Sequence, residues 1–218
     1  MSTGISSLDD AIGGLENGKL YCIACSSLLN RLPLLAEVAI GLLSTGTKLA
    51  IVSIENEQKK LVEELKSCYR AFGKNSGALT LWAEYQPSTS YKKLRSTIER
   101  IIKKDRNLLH VFVVDNLLKI ETDFPCPSPA LSVAANLYLL KMLAVEYDIP
   151  VIAFSELNPE QSLCATFADS EDIQKLVVYR VQKERLPRPI REDAVVLSTT
   201  TRRYHSGEKE LPLMVARV

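Results

Sequence analysis

Histidine is almost missing from this sequence of 218 residues, which has only His110 and His205. Its five cysteines are odd in number and scattered, at positions 22, 25, 68, 126 and 164. Cys22-x-x-Cys25 has zinc or redox spacing, but no second cysteine pair or histidine pair completes a tetrahedral metal site. The expectation is therefore no metal, and buried free thiols in a reducing cytosol. Long apolar runs are also missing. No uncharged stretch approaches the roughly 20 residues of a membrane span, and Met1 to Ser6 has no apolar leader core, so no membrane association is expected. The formal charge is only +1, which rules out a global electrostatic pull on nucleic acid or membrane and leaves room only for local patches. These absences predict a cytoplasmic protein, with nucleoid association compatible.

What is present suits a globular fold. Hydrophobic residues make up 46% and charged residues 24%, and this length buries a core without disulfide or metal staples, so residues 1–218 read as a single α/β domain. Short apolar runs suited to buried strands alternate with helical periods. Strands are predicted at Leu20 to Ala24, Lys48 to Ile54, Ala78 to Trp82, Leu108 to Asp115 and Pro150 to Ser155, with late strands at Leu176 to Val181, Ala194 to Thr199 and Leu211 to Ala216. Between them, helical spacing runs from Leu34 to Leu43 with Pro33 in the first turn, from Glu57 to Phe72, through Leu94 to Ile102 with Ser88 or Ser90 as cap, and over about Ala130 to Tyr147. Such alternation predicts a mostly parallel central sheet with helices on both faces.

One more absence bears directly on chemistry. Ala24-Cys25-Ser26-Ser27-Leu28-Leu29-Asn30-Arg31-Leu32-Pro33 leaves an apolar strand and enters a helical pattern, where a nucleotide-hydrolysing fold carries its phosphate loop. The glycines, lysine and hydroxyl of G-x-x-x-x-G-K-[ST] are not there. Glycines let backbone N–H groups close around phosphate oxygens, the lysine reaches the terminal phosphates, and Ser or Thr holds Mg²⁺. Upstream, Gly13-Gly14-Leu15-Glu16-Asn17-Gly18-Lys19-Leu20 nearly matches the pattern, but it runs into a strand rather than out of one. No helix N-terminus opens there to meet an anion, so Gly13 to Gly18 reads as a turn.

Ser2-Thr3-Gly4-Ile5-Ser6-Ser7-Leu8-Asp9-Asp10-Ala11-Ile12-Gly13-Gly14-Leu15 followed by Gly18-Lys19-Leu20, and Val145-Glu146-Tyr147-Asp148-Ile149-Pro150-Val151-Ile152-Ala153-Phe154-Ser155-Glu156-Leu157-Asn158, resemble the RecA-like ATPase domain of DnaB-type replicative DNA helicases, related to KaiC and RadA. The likeness runs along nearly the whole chain and implies a RecA-like P-loop NTPase fold. It places Glu55, in Val52-Ser53-Ile54-Glu55, at the residue that polarises the attacking water; the same carboxylate also reads as a charge at a helix N-terminus. Asp115 falls where the family's aspartate reaches Mg²⁺ through water, and Ser155 on the sensor strand, where Glu156 replaces the usual amide. The register through the phosphate loop puts Asn30 at the final glycine, Arg31 at the lysine and Leu32 at the Ser/Thr, with Ser26 and Ser27 as the loop's remaining hydroxyls and Arg31 left to attract phosphate as a charge. Arg202 keeps the arginine of a pair that the family projects into a neighbouring subunit's nucleotide, while Thr200 takes the lysine position. A solvated Arg202 beside Arg203 is the other reading.

The resemblance also locates two loops that hold single-stranded DNA, here Glu121 to Ala130 and Glu156 to Ile173. They carry Glu121, Asp123, Glu156, Glu160, Asp169, Glu171 and Asp172 and no lysine or arginine, so they repel a phosphate backbone. Positive charge gathers at Lys183, Arg185, Arg188 and Arg191, and in Lys92, Lys93, Arg95, Arg100, Lys103 and Lys104. Because the chain starts at the ATPase core, without the family's N-terminal collar and linker helix, ring formation is not expected. The resulting expectation is a pseudo-ATPase with no cofactor, acting on a protein partner, a helicase, recombinase or related nucleoprotein, in DNA replication, recombination or repair. Two alternatives stand beside it: an active helicase- or translocase-type ATPase using ATP and Mg²⁺ through Arg31 and Asp115, and a homo-oligomeric scaffold joined through Arg202 and the edge strands.

Overall fold

In the computed structural model, the alternating pattern builds one layer of strands between two layers of helices. The structure describes residues 1–25, 28–72, 80–104, 109–126, 129–156, 177–180, 194–198 and 214–217. In chain order the elements are α1 (Ser6–Ile12), β1 (Leu20–Cys25), α2 (Leu28–Ser44), β2 (Leu49–Ser53), α3 (Gln58–Phe72), β3 (Leu81–Tyr85), β4 (Thr89–Ser90), α4 (Tyr91–Lys104), β5 (Val111–Asp115), a 3-10 turn (Leu117–Lys119), β6 (Ile120–Glu121), α5 (Pro129–Tyr147), β7 (Val151–Glu156), β8 (Val177–Arg180), β9 (Ala194–Ser198) and β10 (Met214–Arg217). The main sheet runs β10-β8-β9-β1-β7-β5-β2-β3. Its five strands from β1 to β3 are parallel. The late strands pair antiparallel, β9 and β10 with β1 and β8 with both of them.

The strands β1, β7, β5 and β2 are buried on both faces, and their alternating side chains feed two cores. Tyr21, Ile23, Leu49, Ile51, Val111, Val113, Ile152 and Phe154 face a core closed by α1, α2 and α3. Leu20, Cys22, Ala50, Val52, Phe112, Val114, Val151 and Ala153 face the other, closed by α4 and α5. The predicted layering with helices on both faces is therefore correct.

Several local expectations shift. The strand expected at Ala78 to Trp82 lies at Leu81–Tyr85, and it is the half-buried edge of the sheet, where the apolar signal is weakest. Pro33 is not in the first turn, because α2 already begins at Leu28. Leu28 to Leu32 contains no glycine, and its leucines and arginine favour helix, so the second half of the expected loop is helical. Of the two cap candidates, Ser90 directly precedes α4, which begins at Tyr91, while Ser88 lies two residues further back with its hydroxyl donating to Glu121 Oε1 at 2.9 Å. Cys22 is buried as expected, but Cys68 and Cys126 are only half-buried; both lie outside the central strands. Gly13, Gly14 and Gly18 all have positive φ, as a turn into β1 requires. The short helix α1, ended by Gly13, and the two-residue ladder of β4 with β6 are too short to leave a periodic signal.

Candidate functional site

Parallel strands end together, so the carboxyl ends of β1, β2, β5 and β7 line one edge of the sheet. Ser53 lies opposite Asp115, Asp115 opposite Phe154, and Cys25 opposite Glu156. Ligands of open α/β sheets bind outside this edge. Asp115 is the last residue of β5 and is fully buried. Glu55 follows β2 in the turn to α3 and is partly exposed. Only Ser26 and Ser27 separate β1 from α2, which sets Arg31 on the fourth residue of that helix with its side chain fully buried.

These three residues meet. Arg31 Nε donates to Asp115 Oδ1 at 2.5 Å, and Arg31 Nη2 donates to Glu55 Oε2. The guanidinium therefore bridges the two carboxylates. Asp115 Oδ2 accepts the Ser53 hydroxyl at 3.2 Å and the Asn56 amide at 3.0 Å. Asn56 is itself held by its backbone N–H on Ser53 Oγ at 3.0 Å. Around Glu55, Asn116 Nδ2 approaches Oε2 at 3.3 Å and Lys119 Nζ approaches Oε1 at 3.6 Å. Asn116 also caps the 3-10 turn that carries Lys119, accepting from Leu118 N at 3.0 Å.

Among the described residues, Arg31 and Lys119 meet the carboxylates of Asp115 and Glu55. A guanidinium stays protonated at any accessible pH, so Arg31 is a permanent cation between the two carboxyl groups. Asp115 is fully buried and accepts three side-chain donors, which satisfies a polar group that water does not reach. Chemically the described part of the cluster is an ion-pair network in which Arg31 joins two carboxylates. Among the described residues no group of three or more His, Cys, Asp or Glu is placed to hold a metal ion, and no helix is long and apolar enough to cross a membrane.

Of the residues singled out in the sequence, the fold brings Arg31, Glu55 and Asp115 together. Ser155 is buried on β7, opposite Ala24 and one residue beyond the Asp115–Phe154 pair. Asn30 lies in the first turn of α2. Ser26, Ser27 and Arg202 lie outside the described residues. Arg31, assigned to phosphate by its register, faces the carboxylates of Glu55 and Asp115. Sequence reasoning missed Ser53, Asn56, Asn116 and Lys119. The only signal for the asparagines was their position, each directly following a singled-out carboxylate.

Neither a protein-family model nor a curated protein matches the sequence. Solved structures do. One solved ATPase domain is similar with a TM-score of 0.61 and 16% identity, over 78% of this chain and 66% of that one. A DnaB-like replicative helicase, described with its interactions with primase, is similar with the same TM-score and identity, over 78% of this chain and 46% of that one. The chain thus spans less than two thirds of those chains, and at this identity the likeness concerns architecture. With its five parallel central strands, flanking helices and carboxyl-edge cluster, this chain has the RecA-like α/β fold of DnaB-like helicase ATPase domains.

Proposed function

We propose that the protein is a RecA-like pseudo-ATPase that works through protein contact in DNA replication, recombination or repair, and that Arg31 is the built-in occupant of the catalytic edge. The observation that carries this reading is the guanidinium bridging Asp115 and Glu55. A magnesium-bound nucleotide fits the residues present poorly. The Asp115 carboxylate that would face the metal already accepts three side-chain donors, and Glu55, which would orient water, is held by Arg31 and Lys119. Phosphoryl transfer depends on charge neutralisation and positioning at this spot, and here the neutralising charge belongs to the protein itself.

A partner protein rather than a DNA strand suits the surface. Glu121 and Asp123 are exposed, and the second acidic loop lies outside the described residues. On α4, Arg95 is paired with Glu146 at 2.5 Å and with Glu99 at 3.3 Å, and Arg100 with Glu84, so part of the basic face is neutralised locally. The test is titration of a fluorescent ATP analogue with and without Mg²⁺, beside a phosphate-release assay. The expected result is no Mg²⁺-dependent binding in the micromolar range and no turnover. Micromolar binding that needs Mg²⁺, with hydrolysis abolished by Glu55→Gln, would instead establish the active-ATPase reading.

A further inference from the structure

Most surface helices carry one apolar stripe, and α5 carries two. Leu137, Leu140, Leu143 and Ala144 on one side are buried against the sheet. On the opposite side Leu131, Tyr138, Met142 and Val145 are 53%, 62%, 42% and 55% exposed. Together with Ala135 they are spaced four, three, four and three residues apart, the a/d spacing of a coiled-coil seam. At 100° per residue these five positions fall within an arc of about 80°, directly opposite the core-facing stripe. The only charged side chains of α5, Lys141 and Glu146, lie on opposite flanks of the seam. Both are held within the fold, Lys141 donating to Gly18 O at 2.8 Å and Glu146 pairing with Arg95 at 2.5 Å.

We infer that this seam is a self-association surface, occupied by α5 of a second copy of the chain in antiparallel orientation. Self-complementary shape and charge point to that occupant. In an antiparallel pair each a position packs against a d position of the other helix. The register that centres the pair then sets Ala135 against Tyr138 of the second copy and Met142 against its Leu131. Large thus meets small in the middle layers, and a two-fold axis repeats each contact. No like charges face each other, because Lys141 falls across from the second copy's Ala134 and the seam itself is uncharged. A parallel pair would stack Tyr138 on Tyr138 and Ala135 on Ala135, leaving a bulge beside a gap. The exposed patch is on the order of 400 Å² per copy, in the range of functional surface patches. Burying about 800 Å² in total lies below the range of stable interfaces and suits weak, transient association. This inference is independent of whether the catalytic edge binds nucleotide.

Sedimentation velocity of the full chain from about 1 to 500 µM tests it. The mean mass is expected to rise from one chain toward two across that range. Tyr138→Glu should hold the protein at one chain throughout, with an unchanged melting curve because the side chain is exposed. Mixing Tyr138→Glu with Ala135→Lys should restore the dimer, since the register places those two positions face to face. A wild-type chain that stays monomeric to 500 µM overturns the inference and leaves the seam to a different protein or another segment of this chain. A dimer that survives Tyr138→Glu, or a mixture that shows no rescue, overturns it equally.

Discussion

Arg31 is the residue on which the candidate site turns. Its partner Asp115 has no exposure at all, so removing one member leaves a buried charge uncompensated. Arg31→Met is therefore expected to lower unfolding free energy by about 3–5 kcal/mol in urea titration. Asp115→Asn combined with Arg31→Met should cost clearly less than the sum of the two single changes, because the second substitution removes the charge that the first exposes. Equal additivity would show that the pair is not coupled. Cysteine chemistry makes a separate prediction. Burial pushes the Cys22 thiol up to about 12 and the Cys68 thiol to about 11, the latter helped by Glu64 and Glu37, against an ordinary 9.0; burial also raises the Tyr21 phenol. The unfolded chain loses these protons first. Their contribution to stability is thus complete below about pH 9 and falls away as pH climbs through 11 to 12. Chemical denaturation midpoints measured from pH 8 to 11 should decline, and a thiol reagent at pH 8 should leave Cys22 unmodified in the folded protein.

At the scale of elements, the N-terminal strap and α2 illustrate how closely backbones can approach. A Cβ on Gly41 would stand 2.2 Å from the Thr3 carbonyl oxygen, and one on Gly4, itself at φ +77°, would stand 2.6 Å from Gly41 backbone. The strap is otherwise fastened by the terminal amine on Leu15 O at 2.7 Å, and by Ser2 and Thr3 on the Asp9 carboxylate. Gly41→Ala is expected to lift it, costing about 1–3 kcal/mol. A lower melting temperature together with faster aminopeptidase digestion would check this, and an unchanged digestion rate would contradict it. Boundaries were legible where the period was long, as in α3, α4 and α5. They were not legible at α1, β4 and β6, where too few residues exist for a period to show. The early start of α2 is hidden in the sequence because Pro33 suits a helix opening, while the helix-favouring leucines before it already belong to the helix.

For the whole molecule, the fold class was readable from the alternation of apolar runs and helical periods, since parallel strands covered on both faces need continuous burial. The strand order was not readable. β1 and β2 are consecutive in the chain, yet β7 and β5 stand between them, and only the packing of helices on two faces selects that order. Electrostatics at this scale gives a further prediction. A labelled single-stranded oligonucleotide should show no anisotropy change at physiological ionic strength, because the loops that the resemblance assigns to DNA carry only acidic charge and cannot replace the backbone's counterions. A steep salt slope would place a nucleic-acid surface on the protein and count against the acidic loops as its determinant.

The amino-acid sequence alone determined the layered α/β architecture, the residues between Cys25 and Pro33 that differ from G-x-x-x-x-G-K-[ST], and the carboxylates at or just after two strand ends, since each is written in local pattern or residue type. Only the tertiary structure decided what Arg31 does. Its partners lie 24 and 84 residues away along the chain, on strands whose adjacency is set by sheet order. Whether a cation faces a phosphate or two carboxylates is decided by which charges the fold buries beside it, and no local pattern records that.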